Sequence, residues 1–169
     1  MRLLAACWLI LPAGQTAAAQ VALPGAVTAY DGTTLTQSVT VSVSAISLIS
    51  VSGNVTLTID AATAGSSPDS DVDASTVYRI TVNQAGQKIT GSLDSGFSAG
   101  LTVQLLLAAP SGGSASQVTL STTPQDLVTG VSKVAESGLT LTYTATGTPS
   151  AAPNGAGQSR TVTLTLTAE

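Results

Sequence analysis

The chain contains no histidine and a single cysteine, and only 3% of its 169 residues are aromatic and 8% charged. The missing histidine removes the usual general base near neutral pH and the commonest metal ligand. The Ser-His and Cys-His nucleophile arrangements go with it. Five Lys and Arg stand against nine Asp and Glu, a formal charge of −4. No basic surface is left to neutralise phosphates, so nucleic acid is excluded as a partner. The lone cysteine, Cys7, permits no disulfide framework. Stability must come from core packing and backbone hydrogen bonds. The length allows this, since a domain near 150 residues buries about two thirds of its unfolded surface.

What is present begins with an address. Met1 and Arg2 form a short positive start, residues 3–12 are an apolar run, and Ala17, Ala18 and Ala19 place small side chains before Gln20. This is the pattern of a cleavable secretory signal. A signal peptide is expected over residues 1–19, with a mature chain from Gln20 that is secreted, periplasmic or held at the cell surface. Leu4, Ala5, Ala6 and Cys7 also have the residue types of a lipoprotein signal, but only six residues precede Cys7, too few for the apolar segment that export requires. The apolar run is too short to cross about 30 Å of hydrocarbon, and no later stretch is free of Thr, Ser and Gly for the necessary 20 or so residues, so no transmembrane segment is expected. Beyond the signal there remain four basic and nine acidic side chains, a net charge of −5.

Past the leader, residues 20–36, apolar side chains recur at every second position. Val39, Val41 and Val43 alternate with Thr and Ser; Val55, Leu57 and Ile59 repeat the pattern, as do Leu101, Val103, Leu105 and Leu107, then Leu139, Leu141 and Tyr143, then Val162, Leu164 and Leu166. Each run predicts a strand with one buried face. Between the runs lie turn formers such as Ser52-Gly53, Gln84-Ala85-Gly86, Pro110-Ser111-Gly112-Gly113 and Ser137-Gly138. About nine or ten strands at this spacing, with no helical stripe, predict an all-β antiparallel sandwich as one domain over residues 37–169. The Gly, Pro, Ala and Ser rich loop 147–159 is expected to be its most mobile part.

Several runs carry a resemblance. Lys88-Ile89-Thr90-Gly91-Ser92-Leu93-Asp94, Gly100-Leu101-Thr102-Val103, Val118-Thr119-Leu120-Ser121-Thr122, Asp126-Leu127-Val128-Thr129-Gly130-Val131 and Leu139-Thr140-Leu141-Thr142-Tyr143-Thr144 together resemble secreted bacterial β-sandwich domains of unknown function. In general character these stand near the fimbrial-subunit and spore-coat-U type proteins. The resemblance covers most of residues 39–167 and implies an immunoglobulin-like sandwich outside the cytoplasm. The chain departs from chaperone-usher fimbrial subunits in lacking a cysteine pair and an aromatic residue close to its end.

Asp69, Asp71 and Asp73 are the strongest candidates for site chemistry. Three carboxylates at alternate positions, read as part of a long turn, offer hard oxygen ligands to one calcium ion, as the first half of an EF-hand loop does. Where that loop continues with glycine and a closing glutamate, this chain has Ala74 and Ile80, so further ligands would come from a neighbouring loop. The competing reading is a solvated acidic turn.

Carboxylate chemistry needs no histidine, and Asp60, Asp94, Asp126 and Glu136 all fall near expected strand ends, where aspartate ordinarily builds turns. No paired motif accompanies them. Ser92-Leu93-Asp94-Ser95-Gly96 does not match a nucleophile elbow either, so no enzyme is expected. A ligand- or carbohydrate-binding module, in one version stabilised by calcium, is the alternative function. It would need exposed aromatics, and Tyr30, Tyr78, Phe97 and Tyr143 read better as core or turn packing. The leading expectation is a structural or surface protein. Its outward strand positions carry Thr and Ser instead of the Lys and Glu that discourage edge pairing. Self-association is expected through the strand 37–44, with Val39, Val41 and Val43 filling apolar slots on a neighbour.

Overall fold

A computed structural model describes residues 36–169. The signal residues 1–19, with Cys7, and all but the last residue of the leader, with Tyr30, lie outside the described residues. All nine strands lie within the compact unit formed by residues 44–169, while residues 36–43 belong to a separate unit.

The strands are β1 (Ser47–Val51), β2 (Asp71–Val82), β3 (Gln87–Leu93), β4 (Leu101–Leu107), β5 (Ser114–Ala115), β6 (Val118–Thr119), β7 (Gln125–Val131), β8 (Val134–Gly147) and β9 (Val162–Ala168). Every pairing is antiparallel. One sheet of five strands runs β1-β2-β8-β4-β6 and one of four runs β5-β7-β3-β9. The protein is therefore all-β and sandwich-like. Among the described residues no helix is long and apolar enough to cross a membrane.

Period-two patterning explains the core. Leu105 and Leu107 of β4 stand opposite Tyr143 and Leu141 of β8, while Tyr78 and Ile80 of β2 supply the same face. From the other sheet come Ile89, Leu127, Val128 and Val131. The alternating Thr and Ser face away, as half-buried antiparallel sheets require.

Glycine shapes the four-stranded sheet at one point. A Cβ on Gly91 would lie 2.6 Å from Cδ1 of the fully buried Leu127. The empty position on β3 is thus what lets β7 seat Leu127 beside Val128, two consecutive buried residues that a register shift opposite Ile89 and Thr90 turns inward.

Two expected strands are not strands. Residues 37–44 take no place in either sheet, and Val39, Val41 and Val43 are 77%, 82% and 78% exposed. Residues 54–60 keep the alternating burial of Val55, Leu57 and Ile59 but have no ladder of their own. Their Thr58 N–H instead donates to Asp71 Oδ2 at 2.6 Å. Alternation reports an extended segment with one apolar face, and whether a neighbour pairs with it depends on distant chain.

The 147–159 loop is tied down at both ends. The Thr148 N–H donates to the Gly100 carbonyl at 2.8 Å. Toward its far end Gln158 Nε2 donates to Ser98 Oγ at 2.6 Å and Arg160 Nε to the Gly96 carbonyl at 2.9 Å.

Candidate functional site

Asp71 and Asp73 open strand β2 and are not part of a turn, which corrects the sequence reading. They stand opposite Ala145 and Tyr143 of β8, so both half-buried carboxylates share the inner face of the sheet at its end. A register shift between Asp73 and Thr76 then brings Thr76, Tyr78, Ile80 and Val82 onto that face. Asp73 builds this bulge: its Oδ1 accepts the Ser75 backbone N–H at 2.9 Å and the Ser75 hydroxyl at 2.8 Å. Those bonds, the backbone one first, hold its carboxyl below the usual aspartate range. Just past the bulge, the buried Thr76 Oγ1 has no hydrogen-bond partner.

Asp69 is exposed and sits before the strand, its backbone N–H bonded to the Ala61 carbonyl at 2.9 Å. Among the described residues no group of three His, Cys, Asp or Glu side chains is placed to hold a metal ion. Asp71 and Asp73 instead satisfy backbone N–H groups of their own chain.

Asp94, Asp126 and Glu136 also organise turns and pairings. Asp94 Oδ1 accepts the Ser95 and Thr161 N–H groups at 2.8 and 3.1 Å. Asp126 of β7 pairs with Lys88 of β3 at 3.0 Å across the outer face. Glu136 Oε1 accepts the Ser111 N–H at 3.0 Å, and the Ser111 side chain first, then this N–H, lower its pKa.

The aromatics among the described residues, Tyr78, Phe97 and Tyr143, are used for packing. Phe97 lies under the Arg160 guanidinium, 5.5 Å from its centroid. Tyr143 packs against the core, and burial raises its pKa. Tyr78 is fully buried and its hydroxyl donates to the Ala108 carbonyl at 2.6 Å. Burial, reinforced by the negative charge of Glu136, pushes Tyr78 up to about 12 from 10.0.

This shift has a pH signature. Below pH 10 both folded and unfolded chains keep the Tyr78 proton, so its contribution is fully present. As pH rises from 10 toward 12 only the unfolded chain ionises, and about 2 to 3 kcal/mol of stability is lost. The melting temperature should fall across this window, and Tyr78→Phe should flatten much of that fall. An equally steep alkaline fall in Tyr78→Phe would contradict this assignment.

A depression of about 240 Å³ is lined by Ser50, Val51, Ser52, Val77 and Arg79. It is smaller than the roughly 300–1,000 Å³ typical of small-molecule sites. More distinctive are the sheet margins. Strands β1 and β6 border the larger sheet, β5 and β9 the smaller. Strands β5 and β6 are two residues each, too short to template another chain, whereas β9 has seven residues with no charge, proline or bulge. Sequence reasoning identified strand β9 but not its marginal position. The signal that could have flagged it is the run Val-Thr-Leu-Thr-Leu-Thr-Ala, free of the charges that protect an edge.

No family model matches the chain, and no curated protein matches it.

Proposed function

We propose that the protein is an exported, non-enzymatic structural or surface component, built on an immunoglobulin-like sandwich, that self-associates by β-strand pairing. The observation that carries this reading is the state of residues 37–44. The segment has no charge, it alternates valine with small hydroxyl residues, and it exposes Val39, Val41 and Val43 almost as fully as an unfolded chain would. Isolated exposed valines need no explanation, but three at alternate positions of an unpaired segment fit a strand that is completed by another copy. The engagement of Asp71, Asp73, Asp94, Asp126 and Glu136 in turns and strand pairings, and the packing roles of Tyr78, Phe97 and Tyr143, support the non-enzymatic part. The signal-like residues 1–19 support export.

Lysine at Thr40 or Ser42 would place charge on the face opposite the valines and leave the sandwich core untouched. Self-association should weaken about tenfold or more, with the melting temperature of the domain unchanged. The measurement is sedimentation velocity over a concentration series. Equal association of wild type and Thr40→Lys would reject residues 37–44 as the pairing segment.

A further inference from the structure

We propose that β9 is a second association edge, independent of residues 37–44, that pairs antiparallel with β9 of another copy about a two-fold axis centred on Thr165.

The backbone dictates which groups are available. The Asp94 N–H donates to the Thr161 carbonyl at 3.0 Å and the Glu169 N–H to the Gly86 carbonyl at 2.9 Å, bracketing the β3–β9 ladder. In an antiparallel pair, hydrogen-bonded and non-hydrogen-bonded positions alternate. Thr163, Thr165 and Thr167 therefore exchange bonds with Ser92, Thr90 and Lys88, their partners in the register. The N–H and C=O groups of Val162, Leu164, Leu166 and Ala168 are directed away from β3. Among the described residues no strand pairs with β9 on that side.

Natural sheets usually protect such an edge with lysine, proline, a bulge or brevity. Strand β9 has none of these: its seven residues pair with β3 without a register shift and include no charge. Beside it, across the sandwich, runs β1, with Leu48 64% and Val51 45% exposed.

The occupant follows from the alternation of β9 itself. With the axis at Thr165, Leu164 of one copy faces Leu166 of the other, Val162 faces Ala168, and Thr163 faces Thr167. Every outward N–H and C=O of β9 then finds a partner, apolar residues meet apolar residues on the inner face, and hydroxyls meet hydroxyls outside. Shifting the register leaves outward groups unpaired at the strand ends. A second copy is therefore the complement that this edge specifies, and its pairing would join two four-stranded sheets into one.

The register gives a discriminating test. In the full chain carrying Cys7→Ser, Thr165→Cys introduces the sole thiol. At the two-fold axis the two Thr165 positions form a non-hydrogen-bonded pair, with Cα atoms about 4.5 Å apart, within the roughly 4.4–6.8 Å range of disulfides. Mild oxidation should convert Thr165→Cys into a covalent dimer. Thr163→Cys and Thr167→Cys should each stay monomeric alone and cross-link only when mixed. Adding Thr40→Lys should leave the Thr165→Cys dimer intact, which separates this edge from the 37–44 segment. A Thr165→Cys chain that stays monomeric, or cross-linking by Thr163→Cys alone to the same extent, would overturn the proposal.

Discussion

Replacing Leu141 with alanine is expected to destabilise the domain by about 2–5 kcal/mol, one of the two largest single effects in this fold. Leu141 is fully buried on β8, between Leu107 of β4 and Thr76 of β2. Because β8 joins two strands of the larger sheet, the cavity would open where relaxation from one side is blocked by the other. Against a total stability of roughly 5–15 kcal/mol this is a large fraction, and the melting temperature should fall by about 10–20 °C. Leu48 provides the control. It has the same side chain on edge strand β1 and is 64% exposed, so Leu48→Ala should change stability by no more than about 0.5 kcal/mol. Thermal melts followed by far-UV circular dichroism would check both, and a Leu141→Ala loss below about 1 kcal/mol would contradict the placement of β8 at the centre of the core.

Alanine at Gly100 should be nearly as disruptive, for backbone reasons. Gly100 has φ +85°, a left-handed conformation that costs an L-residue about 1–2 kcal/mol. A Cβ there would also fall 2.5 Å from the Ala151 backbone nitrogen and 2.8 Å from the hydroxyl oxygens of Thr148 and Ser150. Relief requires backbone movement in the 147–159 loop, which is anchored to this glycine by the Thr148 N–H. A total loss of roughly 2–4 kcal/mol is expected, together with faster proteolysis within the loop. Gly96 has open space around its Cβ position and no positive φ, so Gly96→Ala should be near neutral. If Gly100→Ala melted within a degree or so of wild type, the contact between the two loops would not be as described.

Strands β4, β8 and β9 are legible in the sequence because Val103, Leu105 and Leu107, then Leu139, Leu141 and Tyr143, then Val162, Leu164 and Leu166 recur at every second position and do face the core. The same pattern at Val39 to Val43 belongs to chain that pairs with nothing in either sheet. Local alternation encodes an apolar face, while pairing is decided by segments far away in sequence. Strand β2 was obscured for the opposite reason. Its first residues, Asp71 and Asp73, are poor strand formers and look like turn chemistry. They are tolerated because Asp71 accepts from Thr58 and Asp73 from Ser75 at the bulge. The uncharged run of β9 does not by itself place the strand at a margin, since the order β5-β7-β3-β9 follows from non-local pairing. Its lack of charge was in plain view, but it acquires meaning only once one side of the strand is known to be open.

The proposed association between copies rests on the unpaired 37–44 segment and the unprotected strand edge at β9. The most direct test is the molecular mass of the wild-type protein in solution, measured by sedimentation velocity from micromolar to near-millimolar concentration. The mass should rise above that of one chain as concentration increases. A mass that stays at one chain over the whole range would contradict the proposed association.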